Sequence, residues 1–91
     1  MMAGEESVTR GAIARRLADL LNEIAQIPSD QISDEATIDN QLRMESVQFV
    51  ELQVALEDEY EIEIDAIRVV EVNHFAGIVE YLFELTREGR Q

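Results

Sequence analysis

Cysteine is absent from this chain of 91 residues, and proline and glycine are scarce, with one and four residues. Without cysteine the chain can form no disulfide, thiolate metal site or cysteine nucleophile, so any thiol chemistry must come from an attached group. No apolar run approaches membrane-spanning length, which predicts a protein without membrane insertion. Residues 1–7 lack a basic and apolar signal segment, so we predict a cytoplasmic location.

Basic residues are also scarce: 7 of them stand against 20 acidic residues, which gives a formal net charge of -13. A surface of this sign repels nucleic acid and anionic membrane, so we predict partners with basic docking sites and no nucleic-acid partner. At 46% hydrophobic, with little proline and glycine, the chain is expected to fold. Its length suits one modest core, which predicts a single monomeric domain over residues 1–91, with residues 1–7 as a flexible N-terminus.

Apolar residues at helical spacing predict a first helix, which a long loop follows. The helix begins after Thr9, a good N-cap residue, and runs to about Gln26, where Pro28 ends it. The polar stretch from Ser29 to Glu45 predicts a loop. Three apolar residues within this loop are spaced so that they anchor it to a core, namely Ile32, Ile38 and Leu42.

The second half of the chain predicts a link, a short helical turn and a final helix. Residues 61–65 alternate acidic residues with isoleucine, but an isolated strand has no partner, so an extended link is expected. Residues 66–70 fit a short helical turn, and the last helix is predicted to begin after Asn73 as its N-cap. The predicted core consists of Leu17, Leu21, Leu52, Leu56, Ile64, Val72, Ile78 and Leu82.

The helix predicted from about Ser46 to Tyr60 carries two apolar stripes, where a helix of a small domain normally carries one. The inner stripe, which suits the core, consists of Phe49, Leu52, Leu56 and Tyr60. The outer stripe lies on the opposite side and consists of Val47, Val50 and Val54, flanked by Glu51, Glu57 and Asp58. This arrangement predicts a helix that buries one face and offers the other to a partner.

The segment LRMESVQFVELQVALEDEYEIEI resembles the acyl carrier protein family, in which Asp-Ser-Leu opens the second helix and V-E-L-x-x-A-L-E-x-x-[FY]-x-I-x-I follows. The resemblance extends without a gap over most of the chain, as far as Glu80, Tyr81 and Leu82. It implies an all-α four-helix bundle with a long first loop and a short third helix. The division into helices reached above agrees with this fold.

The resemblance also implies a function. In the family, the serine that matches Ser46 is modified with 4'-phosphopantetheine from coenzyme A, and the thiol of this arm carries acyl intermediates as thioesters. The implied partners are a phosphopantetheinyl transferase, an acyl- or aminoacyl-loading ligase, and downstream transferases or synthases. A phosphodiester on Ser46 would sit at a helix N-terminus, which favours an anion. The expected docking surface consists of Glu45, Val47, Val50, Glu51, Val54, Glu57 and Asp58.

Several positions depart from the family pattern. Glu45 and Val47 replace the usual Asp and Leu beside Ser46, and Arg43 replaces a common Gly. Phe49 stands where a small or hydroxylated residue is frequent, so its bulk is expected to narrow or reshape a groove for the cargo. Residues 66–70 are apolar and basic where the carriers of fatty acid synthesis are acidic. These differences predict a specialised carrier for a dedicated lipid or secondary-metabolite pathway.

Two alternatives to an acyl carrier stay open. An aminoacyl or peptidyl carrier would use the same serine, whereas in an unmodified carrier-like binding module the valine stripe would dock a partner permanently. Taken alone, a serine at this position is more often an ordinary N-cap than a modification site. An enzyme is not expected, because His74 is the only histidine and no partner for it is evident. Acidic residues near Asp34 and Asp39 lack the spacing of a calcium loop, so no metal site is predicted.

Overall fold

The computed structural model describes residues 8–89, so the predicted flexible N-terminus at residues 1–7 lies outside the described residues. A 3₁₀ turn at Ser29–Gln31 lies in the long first loop, and within the described residues one isolated β-bridge joins Thr37 to His74. The predicted all-α fold, with a long first loop and a short third helix, is confirmed. The four helices are α1 (Arg10–Ala25), α2 (Ser46–Tyr60), α3 (Ala66–Val72) and α4 (Phe75–Gly89).

Helix α1 begins as predicted, but it does not end at Pro28 as predicted. Thr9 is the N-cap, and its Oγ1 accepts a hydrogen bond from the Ala12 N–H at 3.1 Å. The helix ends at Ala25 because Gln26 adopts the left-handed conformation, with φ of 56°. The Ile27 N–H then turns back to the Leu21 carbonyl at 3.3 Å. Pro28 follows this turn, so it comes too late in the chain to end the helix itself.

The core draws apolar residues from the helices and from the loop between α1 and α2. All predicted core residues except Val72 are buried. Val72, the last residue of α3, is half-buried, and Val69, one turn earlier, is the α3 residue that is buried in the core. Ala36, in the loop, is a buried residue that the spacing did not indicate. The buried apolar residues are Ile13, Leu17, Leu20, Leu21, Ile27, Ala36, Leu42, Leu52, Leu56, Ile64, Val69, Phe75, Ile78, Val79 and Leu82.

The long first loop is fastened to the start of α4. The Phe75 N–H donates to the Ala36 carbonyl at 2.8 Å, and the Ala76 N–H donates to the Asp34 carbonyl at 3.0 Å. These first-turn N–H groups have no partner within their own helix, so the loop caps α4 with its main chain. Leu42 is buried, while Ile32 and Ile38 are half-buried against the core. The predicted anchoring of the loop is therefore confirmed.

The prediction that Asn73 is the N-cap of α4 is wrong. Asn73 joins α3 to the long first loop instead. It takes the left-handed conformation after α3, with φ of 70°, which asparagine tolerates better than most residues. Its Oδ1 accepts from the Ile38 N–H at 3.1 Å, and its Nδ2 donates to Asp39 Oδ2 at 3.1 Å. The first helical bond of α4 runs from the Ile78 N–H to the His74 carbonyl at 3.0 Å. His74 therefore stands at the cap position, exposed on the surface.

The link between α2 and α3 is extended, as predicted. Glu61 ends α2 in the left-handed conformation, with φ of 56°, and no strand forms over residues 61–65. Asp65 caps α3, since its Oδ1 accepts from the Ile67 N–H at 3.0 Å. The Tyr81 hydroxyl accepts from the Asp65 N–H at 2.9 Å and so holds the start of α3 against α4. Helix α3 runs to Val72, two residues further than predicted.

Candidate functional site

Ser46 is the first residue of α2, and Glu45 occupies the N-cap position before it. The extended backbone of Glu45 (φ -74°, ψ 160°) offers its carbonyl to the Phe49 N–H at 2.9 Å. The Gln48 side chain folds back, and its Oε1 accepts from the Glu45 N–H at 2.9 Å. The cap position is therefore filled by another residue. The interpretation of Ser46 as an ordinary N-cap loses its support.

The surroundings of the Ser46 hydroxyl suit a phosphodiester. Ser46 is exposed, at the junction between the long loop and α2. The unpaired N–H groups and the positive dipole end of α2 favour an anion at this point. Gln48 also donates from Nε2 to the Ile24 carbonyl at 3.4 Å, which ties the start of α2 to the end of α1. A group attached to Ser46 would thus extend from a fixed helix end into solvent, where enzymes can reach it.

A shallow groove of about 270 Å³ opens beside Ser46. The loop supplies one side of this groove and α2 and α3 supply the other. Apart from Ser46 itself, every lining residue is apolar, so the groove offers a surface for an apolar ligand rather than for a charged one. The other lining residues are Ile38, Met44, Phe49, Val50 and Val70.

A small cavity of about 30 Å³ lies inside the bundle, and only apolar atoms face it. Ile38, Met44 and Phe49 line both this cavity and the groove beside Ser46, so these three side chains form the wall between the two. The cavity has room for roughly one water molecule. Any larger guest would have to part the helices. The remaining residues that line it include Leu52, Gln53, Leu56, Ile64, Val69, Ile78 and Leu82.

The predicted outer stripe of α2 is exposed and continues onto α3. Five large apolar side chains, 51–68% exposed, form what we call the aliphatic patch. Val50 and Val70 both line the groove beside Ser46, which makes the patch continuous between the two helices. Exposed aliphatic residues grouped in this way are typical of a protein docking surface. The patch consists of Val47, Val50 and Val54 on α2 and Ile67 and Val70 on α3.

The acidic residues of the expected docking surface fall into two groups. Glu45, Glu51 and Asp58 are exposed along or beside the aliphatic patch. Glu57 is half-buried, and its Oε2 accepts a hydrogen bond from the Ile64 N–H at 2.8 Å. The carboxylate of Glu57 therefore binds the main chain of the link, whereas Glu45, Glu51 and Asp58 are exposed.

Comparison with known proteins agrees with this geometry. The family model described as the phosphopantetheine attachment site matches residues 15–82. An acyl carrier protein of Saccharopolyspora erythraea is 32% identical over 76 residues, which are 84% of this chain and 80% of that protein. An acyl carrier protein of Acidothermus cellulolyticus is 26% identical over 80 residues, 88% of this chain and 95% of that protein.

The chain belongs to the acyl carrier protein family. Proteins of this family are carriers rather than catalysts, and their prosthetic group is 4'-phosphopantetheine, which is attached covalently. The family resemblance stated from the sequence is thus confirmed. Within residues 8–89, no helix of this acyl carrier protein has the length and apolar character needed to cross a membrane.

Three residues that line the groove or the cavity were not indicated as lining residues by the sequence. Ile38 was expected to contact the core, and it also lines the groove. Met44 lies in the loop, where no periodicity indicates which way a side chain points. Gln53 lines the cavity through its carbon atoms. The sequence does not indicate this contact, because Gln53 is a polar residue beside the inner stripe. The apolar and basic character of residues 66–70 was a usable signal, and Ile67 and Val70 of the aliphatic patch come from that segment.

Proposed function

We propose that Ser46 carries the 4'-phosphopantetheine group and that the chain, as one carrier domain, presents acyl intermediates to a series of enzymes. The observation that carries this proposal is the position of Ser46. It is exposed at the start of α2, its capping role is taken by Glu45, and an apolar groove opens beside it. We propose a cytoplasmic location for this function.

The residues around Ser46 would hold the phosphodiester and leave the arm mobile. The first-turn N–H groups of α2 that lack a helical partner would favour the phosphate, and the helix dipole would lower the energy of its negative charge. When attached, the group supplies a flexible arm whose thiol holds the cargo as a thioester. The chain has no cysteine, so no protein thiol competes for the acyl group. The protein itself positions the arm and shields the cargo from water, while partner enzymes catalyse the reactions of the thioester.

The cavity and the groove favour an acyl cargo over an aminoacyl one. Both are lined by apolar residues, and only apolar atoms face the cavity. An ammonium group transferred into such a space would lose its hydration without gaining a partner. A hydrocarbon chain gains free energy by leaving water. An aminoacyl or peptidyl carrier stays the second candidate, and loading with a labelled amino acid by an adenylating enzyme would favour it.

We infer that this protein is a specialised carrier that serves a dedicated lipid or secondary-metabolite pathway. Phe49 is half-buried in the wall between the groove and the cavity, where a smaller residue would leave more space. The aliphatic patch extends onto α3, so a partner meets apolar surface there. Efficient elongation of its cargo by a general fatty acid synthase system would contradict this inference.

The partners we propose are the phosphopantetheinyl transferase, a loading ligase and downstream transferases or synthases, docking on the aliphatic patch and its acidic border. Val54→Lys is expected to lower the kcat/KM of phosphopantetheinyl transfer by about tenfold, mainly through KM, because it introduces a cation opposite a basic partner. Steady-state kinetics with purified transferase measure the effect. Gln31→Lys adds the same charge at an exposed position outside the patch and is expected to leave kcat/KM unchanged. Equal losses in both variants would overturn the docking assignment.

The proposed function is tested by the intact mass of the protein after incubation with coenzyme A and a broad-specificity phosphopantetheinyl transferase. The expected result is a gain of one phosphopantetheinyl group, which peptide mass spectrometry locates in the fragment that contains Ser46. Protein from its native cell should carry the same group. An unmodified mass in both preparations would favour the alternative of a carrier-shaped binding module.

A further inference from the structure

Two side chains of α2, one helical turn apart, bind the main chain of Ile64 from the same side. Gln53 donates from Nε2 to the Ile64 carbonyl oxygen at 3.2 Å. Glu57 accepts at Oε2 from the Ile64 N–H at 2.8 Å. Residues i and i+4 lie one above the other on a helix, so the pair is spaced to meet both polar groups of one extended residue. The link has no strand partner, and α2 side chains supply the hydrogen bonds instead.

These two bonds fix the wall of the cavity. The buried Ile64 side chain lines the cavity, as do the carbon atoms of Gln53. The next residue, Asp65, caps α3, whose Val69 lines the same cavity. The distance between α2 and this wall therefore depends on the two hydrogen bonds to Ile64. With a volume of about 30 Å³, the cavity admits a longer guest only if this distance grows.

We propose that Gln53 and Glu57 form a clamp on the Ile64 main chain that sets how long an apolar chain the bundle admits. The inference rests on the proposed function, in which the cavity receives the cargo. Gln53 and Glu57 are then positioning residues, because they act through Ile64 and the start of α3. In this assignment Glu57 belongs to the clamp, and the acidic border of the docking surface is formed by Glu45, Glu51 and Asp58.

The first arm of the test uses the unmodified protein and asks whether the clamp exists in solution. Gln53→Met and Glu57→Met keep the side-chain length but remove the donor or the acceptor. Hydrogen exchange of the Ile64 amide is expected to accelerate by about tenfold in Glu57→Met, which removes the acceptor of that N–H, and by a smaller factor in Gln53→Met, which frees only the Ile64 carbonyl. Glu57→Gln retains an acceptor oxygen and should exchange within about threefold of the wild type. Asp58→Asn, which removes a charge from the exposed neighbour, should leave exchange at Ile64 unchanged.

The second arm measures chain length without any transferase. The chain has no cysteine, so Ser46→Cys offers a single thiol, which alkyl methanethiosulfonates convert to a mixed disulfide with release of methanesulfinate. The melting temperature is expected to rise with alkyl length up to a limit. Adding Gln53→Met or Glu57→Met to this protein should move the limit to chains about two or more carbons longer. Adding Glu57→Gln should keep the limit of the parent.

Identical length limits in the parent and in both clamp variants would overturn the proposal, as would unchanged exchange of the Ile64 amide in Glu57→Met. Either Met variant alone is sufficient for the length measurement, so the loss of one to misfolding does not prevent that test. Because the alkyl chains are attached without coenzyme A, the result does not depend on whether Ser46 is a substrate for a transferase. Failure of phosphopantetheinylation would contradict the proposed function and leave the clamp measurements standing.

Discussion

Ser46→Ala is expected to abolish phosphopantetheinylation completely while the free energy of unfolding stays within about 0.5 kcal/mol of the wild type. Modification requires a hydroxyl at the position from which the arm extends, and alanine has none. Stability should be unaffected because Glu45, with the Gln48 side chain, already fills the cap position. Alanine is also the best helix former, and the side chain it replaces is exposed. Intact mass after transferase treatment and thermal unfolding measure the two effects.

Ser33→Ala is the matched control for this variant. Ser33 is also exposed, and it lies in the long first loop, at a distance in sequence from α2. The control should gain one phosphopantetheinyl group as the wild type does. A mass gain that persists in Ser46→Ala would place the group on another residue and contradict the site assignment. A large loss of stability would instead show that the hydroxyl has a structural role.

Much of the fold follows from short-range signals that need no tertiary information. The spacing of Leu17 and Leu21 indicates the buried face of α1, and Thr9 marks its start. The ends of the elements were less predictable, because backbone conformation at single residues decides them. Gln26 and Asn73 both take the left-handed conformation, which ends α1 and α3. For Asn73 the sequence favours a different role, because an asparagine before an apolar run is usually the N-cap of the next helix.

Some parts of the candidate site can be predicted from the sequence and others cannot. Ser46 and the valines of the outer stripe are visible as a pattern, since an exposed apolar face on a helix has no structural reason within one small domain. The role of Glu57 is not visible, because a half-buried and an exposed glutamate look the same in a sequence. The groove beside Ser46 also depends on Ile38 and Met44 of the loop. Ile38 is held by a long-range hydrogen bond from its N–H to the Asn73 carbonyl, which the sequence does not reveal.

The position of Phe49 connects the site to the choice of cargo. Its side chain lies in the wall that separates the groove beside Ser46 from the cavity, together with Ile38 and Met44. A chain on the arm would therefore meet the groove first and reach the cavity only after these side chains move. Methionine is flexible and adapts its shape easily, so Met44 is the member of the wall that yields at least cost.

Protein that carries an eight-carbon acyl chain on its arm is expected to melt at a higher temperature than protein that carries an acetyl group. The longer chain adds six methylenes, each worth at most about 0.8 kcal/mol when buried, which gives an upper limit of about 5 kcal/mol. Widening the cavity from about 30 Å³ lowers this gain, because contacts between buried side chains are lost. A remaining gain of only about 1 kcal/mol would still raise the Tm by roughly 4–8 °C in a domain of this size.

Thermal unfolding of the two acylated proteins, followed by circular dichroism at equal concentration, measures the difference. A protein loaded with a polar aminoacyl group of similar size is the control, and its Tm is expected to match that of the acetyl form because an ammonium group stays in water. A rise that is confined to the acyl chain indicates that the cargo lies among α2, α3 and α4. If the eight-carbon chain leaves the Tm unchanged, the cargo is held outside the bundle, and the preference for acyl over aminoacyl cargo loses its physical basis.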